Sequence, residues 1–398
     1  MIYLVTLFII IYGIIRFDLR NVPVSNSTYH QFWIITFWLL VLIPGLSYRI
    51  GIDTPSYMAF YDSIKPLEDV SLEYLADAHD DILWAVFCSA CKSISSEYAF
   101  MHTLQCLVLH LSVFYFIEKF TTKRFVALSL YYVVIWGHLT FEALRESLAL
   151  SFYLFALSKL MEKNSYKQYF LIALPGLFFH RFSFIIIFLT PLVWMSKRIK
   201  VFIPLLLLVS FFVVLNIQWF IDMFIQDITS DNARITMYVE GNFEGDSKMS
   251  IIGVISYLVR LVLPPLLIIY LYKKDGCSEV NDGIVMLLIF ATLLGCIASL
   301  MTDFRRIYNY FIILEGVMFG NILAHRDYYK RTFIIKNCFR GLCLLICLIE
   351  ALACSSFYQP SILETRKNVT YDVYYFPYYS VFTKEKDPKR EAVHRVVY

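Results

Sequence analysis

Residues 98–160 read YAFMHTLQCLVLHLSVFYFIEKFTTKRFVALSLYYVVIWGHLTFEALRESLALSFYLFALSKL. Three apolar runs follow one another within this stretch, at Tyr98–Ile117, Phe125–Phe141 and Glu142–Leu160. A helix of about 20 predominantly apolar residues spans a bilayer, with somewhat shorter runs possible. Successive runs of this length predict an all-α, polytopic transmembrane helical bundle.

The composition of the whole chain supports the same class. Hydrophobic residues make up 59% of the 398 residues and charged residues 17%, with a mean hydropathy of +0.62. Soluble chains normally carry about a quarter charged residues, so the composition excludes a soluble protein. A formal charge of +3 is too small to indicate a nucleic-acid partner.

Apolar runs on both sides of residues 98–160 bring the prediction to about twelve membrane crossings. Residues 169–195 hold two short runs that predict a hairpin. A further short run, Asp81–Ile94, predicts an interfacial or re-entrant helix, and whether it crosses is open. The tail, residues 355–398, is predicted to be a Tyr-rich extracytoplasmic segment beyond a membrane domain of residues 1–354. The flanking runs are Met1–Ile15, Phe32–Leu46, Tyr169–Phe179, Phe182–Met195, Val201–Ile221, Ile251–Tyr272, Ile284–Thr302, Ile307–Ala324 and Cys338–Cys354.

Lys and Arg in the short loops predict the orientation of the bundle, because such residues concentrate on the cytoplasmic side. The basic loops all fall on one side of the predicted membrane. The two longer loops, residues 47–80 and 222–250, are acidic and fall on the other side. These loops and both termini are therefore predicted to face outward.

Several arginines do not follow this rule. Five lie at outward ends of apolar segments: Arg49, Arg145, Arg181, Arg305 and Arg306. Arg260 lies near the middle of Ile251–Tyr272, where an arginine costs about 2.5–3.5 kcal/mol on insertion scales. Guanidinium groups bind phosphate with two parallel hydrogen bonds. The pattern predicts an outward-facing cationic cavity suited to a pyrophosphate.

Two sequence clusters near the predicted outer surface combine these arginines with carboxylates. In residues 48–57, Arg49 and Asp53 can pair or share a ligand; an ordinary surface turn with a salt bridge is the alternative. In the second cluster, Glu142 is predicted to share a helix face with Arg145 and Glu146. An interfacial helix cap is the alternative for the glutamates, although the helix dipole does not explain the arginine.

Two later clusters pair arginine with an imidazole or a phenol. His180 and Arg181 lie at the tip of the short hairpin, which is predicted to end below the outer surface. Arg305, Arg306 and Tyr308 open a late helix, where an interfacial anchor is the alternative. Arg260 and the intramembrane Glu315 are equally consistent with a structural ion pair.

At these residues the chain resembles the EpsG family, relatives of the Wzy-type polysaccharide polymerases. The resemblance rests on R-x-G-x-D-x-x-x-Y at Arg49, Gly51, Asp53 and Tyr57, and on R-x-x-L-A at Arg145, Leu148 and Ala149. His180 in the hairpin and R-x-x-Y at Arg305 and Tyr308 follow. The motifs cover most of residues 1–325. Glu146 stands where the family often has Gln, and no counterpart is expected for the tail after about Cys354.

The resemblance implies a GT-C-like, metal-independent glycosyltransferase without a cofactor, in the bacterial cytoplasmic membrane with its active side outward. It would transfer a growing glycan from undecaprenyl pyrophosphate to the next lipid-linked repeat, for exopolysaccharide, capsule or O-antigen. Export and chain-length proteins are further expected partners. The implied catalytic residues are His180, Arg145, Glu142 and Asp53, with His180, Glu142 or Asp53 as the base. The implied pyrophosphate-binding residues are Arg49, Arg181, Arg260, Arg305, Arg306 and Tyr308.

Two other classes of function compete with this hypothesis. A lipid-linked oligosaccharide flippase would favour internal repeats and charged residues at the midplane. The sequence shows no repeat, and only Arg260 and Glu315 lie at depth. A non-catalytic membrane subunit of a synthase complex would use the outward arginines only to bind lipid headgroups.

Overall fold

A computed structural model of the chain describes residues 2–19, 26–71, 74, 81–181, 183–195, 262–274, 282–298, 304–328 and 374–391. Within these ranges the regular elements are helices, and the β interaction is an isolated antiparallel bridge between Ser47 and Ser380. The prediction of an all-α fold is confirmed for this part of the chain.

The chain divides into two compact units. The first comprises Met1–Pro191, Ile312–Phe357 and Thr370–Tyr398, and the second comprises Leu192–Phe311 and Tyr358–Val369. The tail residues 374–391 thus belong to the first unit, together with the N-terminal helices.

The described helices are numbered in chain order. Those of the first unit are α1 (Ile2–Gly13, continued by a π-helix Ile14–Leu19), α2 (Asn26–Gly45), α3 (Thr54–Ser63), α4 (Ile82–Ile94), α5 (Tyr98–Phe120), α6 (Arg124–Tyr131), α7 (Gly137–Phe141), α8 (Leu144–Lys163), α9 (Tyr166–Phe179) and α10 (Ser183–Met195, whose last residues belong to the second unit). A π-helix, Tyr132–Trp136, joins α6 to α7, and a 3-10 turn, Leu67–Asp69, follows α3. The later helices are α11 (Leu263–Lys274), α12 (Asp282–Ala298) and α13 (Phe304–Tyr328, whose residues from Ile312 onward belong to the first unit).

Among the described residues, four helices are long and apolar enough to cross a membrane: Ile2–Leu19, Tyr98–Phe120, Arg124–Phe141 and Arg306–Ala324. Three shorter apolar helices are Ile82–Ile94, Ser183–Trp194 and Gly283–Gly295. The count of about twelve crossings stays a prediction. The predicted spans Val201–Ile221 and Cys338–Cys354 lie outside the described residues, and Ile251–Tyr272 is described only from residue 262.

Helix α5 lies between α2 and α8 in the first unit, and small residues let these helices approach closely. A Cβ added to Gly45 of α2 would lie 2.8 Å from Cα of Thr103 on α5. At the other end of the same contact, the rings of Trp33 and Phe114 lie 4.3 Å apart. Small residues at helix interfaces are the usual means of close packing in a bilayer, where lipid is as apolar as the helix surfaces.

Buried polar side chains of α5 are hydrogen-bonded to neighbouring helices. The Nε2 atom of His102 lies 2.6 Å from the carbonyl oxygen of Thr140, and Nε2 of His110 lies 3.2 Å from the hydroxyl of Tyr131. Gln105 donates to the hydroxyl of Ser147 on α8. Because no water is available inside a bilayer, such groups must find partners within the protein. These contacts fix α5 against α6, α7 and α8.

One end of the first unit collects most of the sequence clusters, and we call it the Arg145 end. An apolar cluster joins α3, α4 and the starts of α5 and α8 to the hairpin tip there; it includes Tyr61, Trp84, Tyr98, Leu144 and Phe179. The tail reaches the same end, where the backbone N–H of Tyr48 donates to the carbonyl of Tyr379 at 2.9 Å and that of Gly51 to Tyr374 at 3.0 Å. The Arg145 end is therefore built from segments that are far apart in sequence.

Candidate active site

Asp81 connects the second and third sequence clusters. It stands directly before α4 and is 4% exposed. Its Oδ2 accepts a hydrogen bond from Nη1 of Arg145 at 2.6 Å, and its Oδ1 accepts one from the backbone N–H of Arg181 at 3.3 Å. One buried carboxylate thus holds the start of α8 beside the tip of the α9–α10 hairpin.

The ion pair with Asp81 explains the position of Arg145. An arginine in the first turn of a helix is disfavoured by the helix dipole, and a nearby carboxylate offsets that cost. Arg145 is also hydrogen-bonded to the side chain of Tyr57 from α3. In the sequence, Asp81 is marked only by its position immediately before an apolar run, which does not identify it as a site residue.

The predicted placement of Glu142 on the Arg145 helix was wrong. Glu142 ends α7, and its backbone N–H donates to the carbonyl of His138 at 3.0 Å. Ala143 has non-helical angles (φ −108°, ψ 54°), and α8 begins at Leu144. A tertiary contact accompanies the break, because the hydroxyl of Thr54 donates to the carbonyl of Phe141 at 3.1 Å. The span predicted as Glu142–Leu160 therefore runs over Leu144–Lys163.

Glu142 nevertheless lies within the cluster through other partners. Its Oε2 is 3.2 Å from Nδ1 of His138, and its Oε1 accepts a hydrogen bond from the Tyr375 hydroxyl of the tail. The Tyr57 hydroxyl donates to its backbone carbonyl at 3.0 Å. The nearby Glu146 is buried, with Oε2 4.0 Å from Nε2 of His138. Neither His138 nor Tyr375 belongs to a predicted cluster, although His138 and Glu142 have the i, i+4 spacing of helical neighbours.

The first cluster forms a tight turn before α3. Arg49 and Gly51 have positive φ angles of 53° and 99°. Such angles are rare for a residue with a side chain and ordinary for glycine. Arg49 forms an ion pair with Glu391 of the tail, and the carbonyl of Asp53 at the start of α3 accepts from the N–H of Tyr57 at 3.1 Å. The carboxylate that pairs with Arg49 thus comes from the other end of the sequence.

The prediction of a hairpin of two short helices is confirmed, although its first helix begins at Tyr166, three residues before the predicted start. Helices α9 and α10 have 14 and 13 residues, so each rises about 20 Å at 1.5 Å per residue, against a hydrocarbon core of about 30 Å. The hydroxyl of Tyr169 donates to the carbonyl of Ile187 at 3.0 Å, joining the two helices. His180 at the tip is 6% exposed, whereas Arg181 is exposed.

The remaining predicted residues lie elsewhere. Arg305, Arg306 and Tyr308 are in α13 and belong to the second unit, where Tyr308 is buried. Arg260 lies outside the described residues. That these four residues join Arg49, Arg145 and Arg181 in one cavity stays a prediction.

The Arg145 end carries charges of both signs. Arg49 and Arg145 are each bound to a carboxylate, so the predicted cationic character is partly neutralised. Arg390 of the tail is 1% exposed and donates to the carbonyl of Pro377 at 2.6 Å; burial lowers the pKa of its guanidinium. In the described part of the chain, a cavity of about 950 Å³ lies at the opposite end of α2 and α5, lined among others by His30, Lys119, Arg124 and Asn321.

In a comparison with protein families, the chain matches the model of the EpsG family over residues 30–383. The matched range includes all the described segments that form the Arg145 end, apart from the first helix and the last residues of the tail. The chain belongs to the EpsG family. No curated protein and no solved structure matches it.

Membership of the EpsG family, which is related to the Wzy-like polysaccharide polymerases, makes this a membrane protein of polysaccharide biosynthesis. The match also corrects one expectation. It continues to residue 383, so most of the tail does have a counterpart in the family. The contacts of Tyr374, Tyr375 and Tyr379 with the first unit give a physical reason, since these residues complete the Arg145 end.

Proposed function

We propose that this EpsG-family protein is a polysaccharide polymerase that transfers a growing glycan from undecaprenyl pyrophosphate to the next lipid-linked repeat. One observation carries the proposal. Arg145 is hydrogen-bonded to Asp81 and to Tyr57, and Asp81 also binds the backbone of Arg181. Arg145 and Asp81 therefore link Tyr57 of the first motif to Arg181, the neighbour of the hairpin residue His180. Tyr57 and Arg145 are 88 residues apart along the chain, and Arg145 and Arg181 are 36 apart.

The reaction requires an acid–base partner and a site for an anion. The hydroxyl oxygen of the acceptor repeat forms a bond with the anomeric carbon of the donor glycan. The bond between that carbon and the pyrophosphate oxygen breaks, so undecaprenyl pyrophosphate leaves with the bonding electrons. The hydroxyl proton passes to a base, for which His180, Glu142 and Asp53 are the sequence-derived candidates.

The arginines suit the leaving group. Arg145 and Arg49 would stabilise the charge that develops on the pyrophosphate, and a preorganised donor of this kind is typically worth about 2.7–4 kcal/mol. Arg181 at the hairpin tip and Arg260, Arg305, Arg306 and Tyr308 are proposed as further contacts. The carboxylate of Asp81 supports this role, because it orients the Arg145 guanidinium before substrate binds.

The test measures elongation directly. Purified protein in lipid vesicles is mixed with lipid-linked repeat units, and the lengths of the products are read on a gel. We expect long glycans from the native protein and single repeats from Arg145→Lys and His180→Ala. The ammonium group of lysine cannot form the two parallel hydrogen bonds that a guanidinium group forms with a phosphate. Lys163→Gln, an exposed change at the far end of α8, is the matched control and should elongate normally.

The competing functions predict other results. A non-catalytic subunit would give no elongation with the purified native protein, and a flippase would move lipid-linked repeats between leaflets without lengthening them. Normal product from Arg145→Lys at normal protein level would remove the arginine from the mechanism.

A further inference from the structure

We propose that His138 is the general base of the transfer reaction, with Glu142 and the tail residue Tyr375 as its positioning residues. This inference rests on the proposed function and deepens it, since it assigns the proton acceptor to a residue outside the motifs of the resemblance. It is carried by a chain of contacts from Tyr375 to Glu142 to His138, whose side chain is 30% exposed.

The carboxylate of Glu142 lies between two partners. One oxygen accepts the hydroxyl proton of Tyr375, and the other lies 3.2 Å from Nδ1 of His138. When Nδ1 carries a proton toward Glu142, Nε2 is the nitrogen with a free electron pair. A carboxylate on Nδ1 is the arrangement that fixes the tautomer of a histidine base and stabilises the imidazolium that forms.

His138 is better exposed than His180 and than His102, which is fully buried at the same end. Its side chain is 30% exposed, whereas His180 is 6% exposed. A general base must come within hydrogen-bond reach of the proton that it removes, and an accessible side chain meets that requirement without a rearrangement. Among the described residues, the carboxylates that form ion-pair contacts with His138 are those of Glu142 and Glu146, the latter 4.0 Å from Nε2. Both carboxylates would stabilise a protonated imidazole.

The π-helix Tyr132–Trp136 comes immediately before α7, and α7 ends three residues after His138. A π-helical turn inside an α-helix shifts the direction of the side chains that follow it, and such turns are frequent at functional sites. The backbone of Glu142 is held by Tyr57, whose side chain also contacts Arg145. The proposed base and the proposed leaving-group arginine thus share one neighbour.

In the proposed step, Nε2 of His138 accepts the proton of the acceptor hydroxyl while that oxygen bonds to the anomeric carbon. The pyrophosphate leaves toward Arg145, and the imidazolium is stabilised by Glu142. Tyr375 keeps the Glu142 carboxylate in place through its hydroxyl. It is itself held by the hydroxyl of Tyr3, which donates to the Tyr375 carbonyl at 3.4 Å, and by Phe141, whose ring centre is 5.8 Å away.

The experiment uses the full chain in vesicles with lipid-linked repeats and follows the elongation rate. We expect His138→Ala to lower kcat by about 100- to 10,000-fold and added imidazole to restore part of the rate. Tyr375→Phe should lower kcat with little change in KM, because it alters the support of the base and not substrate binding. His30→Ala, at the opposite end of α2, is the control and should elongate at the native rate.

Each outcome bears on the assignment. A native rate in His138→Ala would overturn it, as would a lost rate that imidazole does not restore in a variant with an unchanged unfolding midpoint. His138→Gln keeps a hydrogen-bond donor toward Glu142 and serves where the alanine variant does not accumulate; it should also lose elongation. Arg145→Lys separates the two proposals. If Arg145→Lys loses elongation while both His138 variants elongate at the native rate, only the assignment of His138 as the base is overturned. If the native protein does not elongate the glycan, the proposed function itself is contradicted.

Discussion

The guanidinium of Arg49 donates two hydrogen bonds to the carboxylate of Glu391, from Nε to Oε1 at 2.5 Å and from Nη2 to Oε2 at 2.8 Å. The two residues are 342 positions apart in the sequence. Both side chains are about one-fifth exposed, so the pair is shielded from most solvent. It fastens the end of the described tail to the turn that carries the first motif.

Glu391→Gln should loosen the tail. The change removes the charge that pairs with Arg49, and hydrogen bonds to charged groups contribute about 1.5–3 kcal/mol. We expect a lower unfolding midpoint in detergent and faster proteolysis within residues 374–391. Glu97→Gln is the matched control, since Glu97 pairs with the tail residue Lys384 at 3.6 Å with both side chains mostly exposed. An exposed pair contributes about 0–1 kcal/mol. An equal fall in the unfolding midpoint of both variants would contradict the expectation that the Arg49–Glu391 pair stabilises the protein more than the Glu97–Lys384 pair.

Arg145 and Asp81 should show strong coupling in stability. Arg145→Ala leaves the buried Asp81 carboxylate without its ion pair, at a cost of about 3 kcal/mol. Adding Asp81→Asn removes the buried charge and should recover most of the lost stability, as measured by unfolding midpoints of the single and double variants. Elongation should stay lost in the double variant. If the double variant makes long polymer, Arg145 has a structural role and is not needed for the transfer reaction.

Gly51→Ala should destabilise the first turn. Its φ of 99° is unfavourable for any residue with a side chain, and an added Cβ would lie 2.9 Å from both Cβ and the carbonyl oxygen of Phe141. Crowding of this kind costs about 1–3 kcal/mol, and we expect a lower unfolding midpoint in detergent. Gly137→Ala is the control, because Gly137 is helical and nothing lies within 4 Å of its added Cβ. An equal fall in the unfolding midpoint of both variants would show that the first turn does not require glycine at position 51.

The orientation of the bundle can be tested at its two ends. Asp62 and Lys163 are both exposed. Lys163 is the last residue of the 20-residue helix α8, whose first turn contains Arg145. At 1.5 Å per residue, the two ends of this helix are about 30 Å apart. In a cysteine-depleted chain, Asp62→Cys should react with an impermeant thiol reagent from outside and Lys163→Cys only after permeabilisation. Glu244→Cys, outside the described residues, should label like position 62. Labelling of position 62 only after permeabilisation would reverse the predicted orientation.

The sequence alone predicted the membrane class, the all-α architecture, the short α9–α10 hairpin and the family. These properties depend on features that are local in sequence. Apolar runs identify a helix whatever surrounds it, since a bilayer requires that backbone groups bond within their own segment. The spacing of Arg49, Gly51, Asp53 and Tyr57 is likewise readable without a fold.

What the sequence could not supply was the pairing of distant charges. Nothing near Arg49 points to Glu391, and nothing near Arg145 points to Asp81, because a long-range ion pair depends on where whole helices come to lie. The break between Glu142 and Leu144 was also invisible, since Thr54 binds the Phe141 carbonyl there from another segment. Local propensity decided the helices of this protein. Only tertiary packing decided which carboxylate faces each arginine, and that the tail supplies the phenol that holds Glu142.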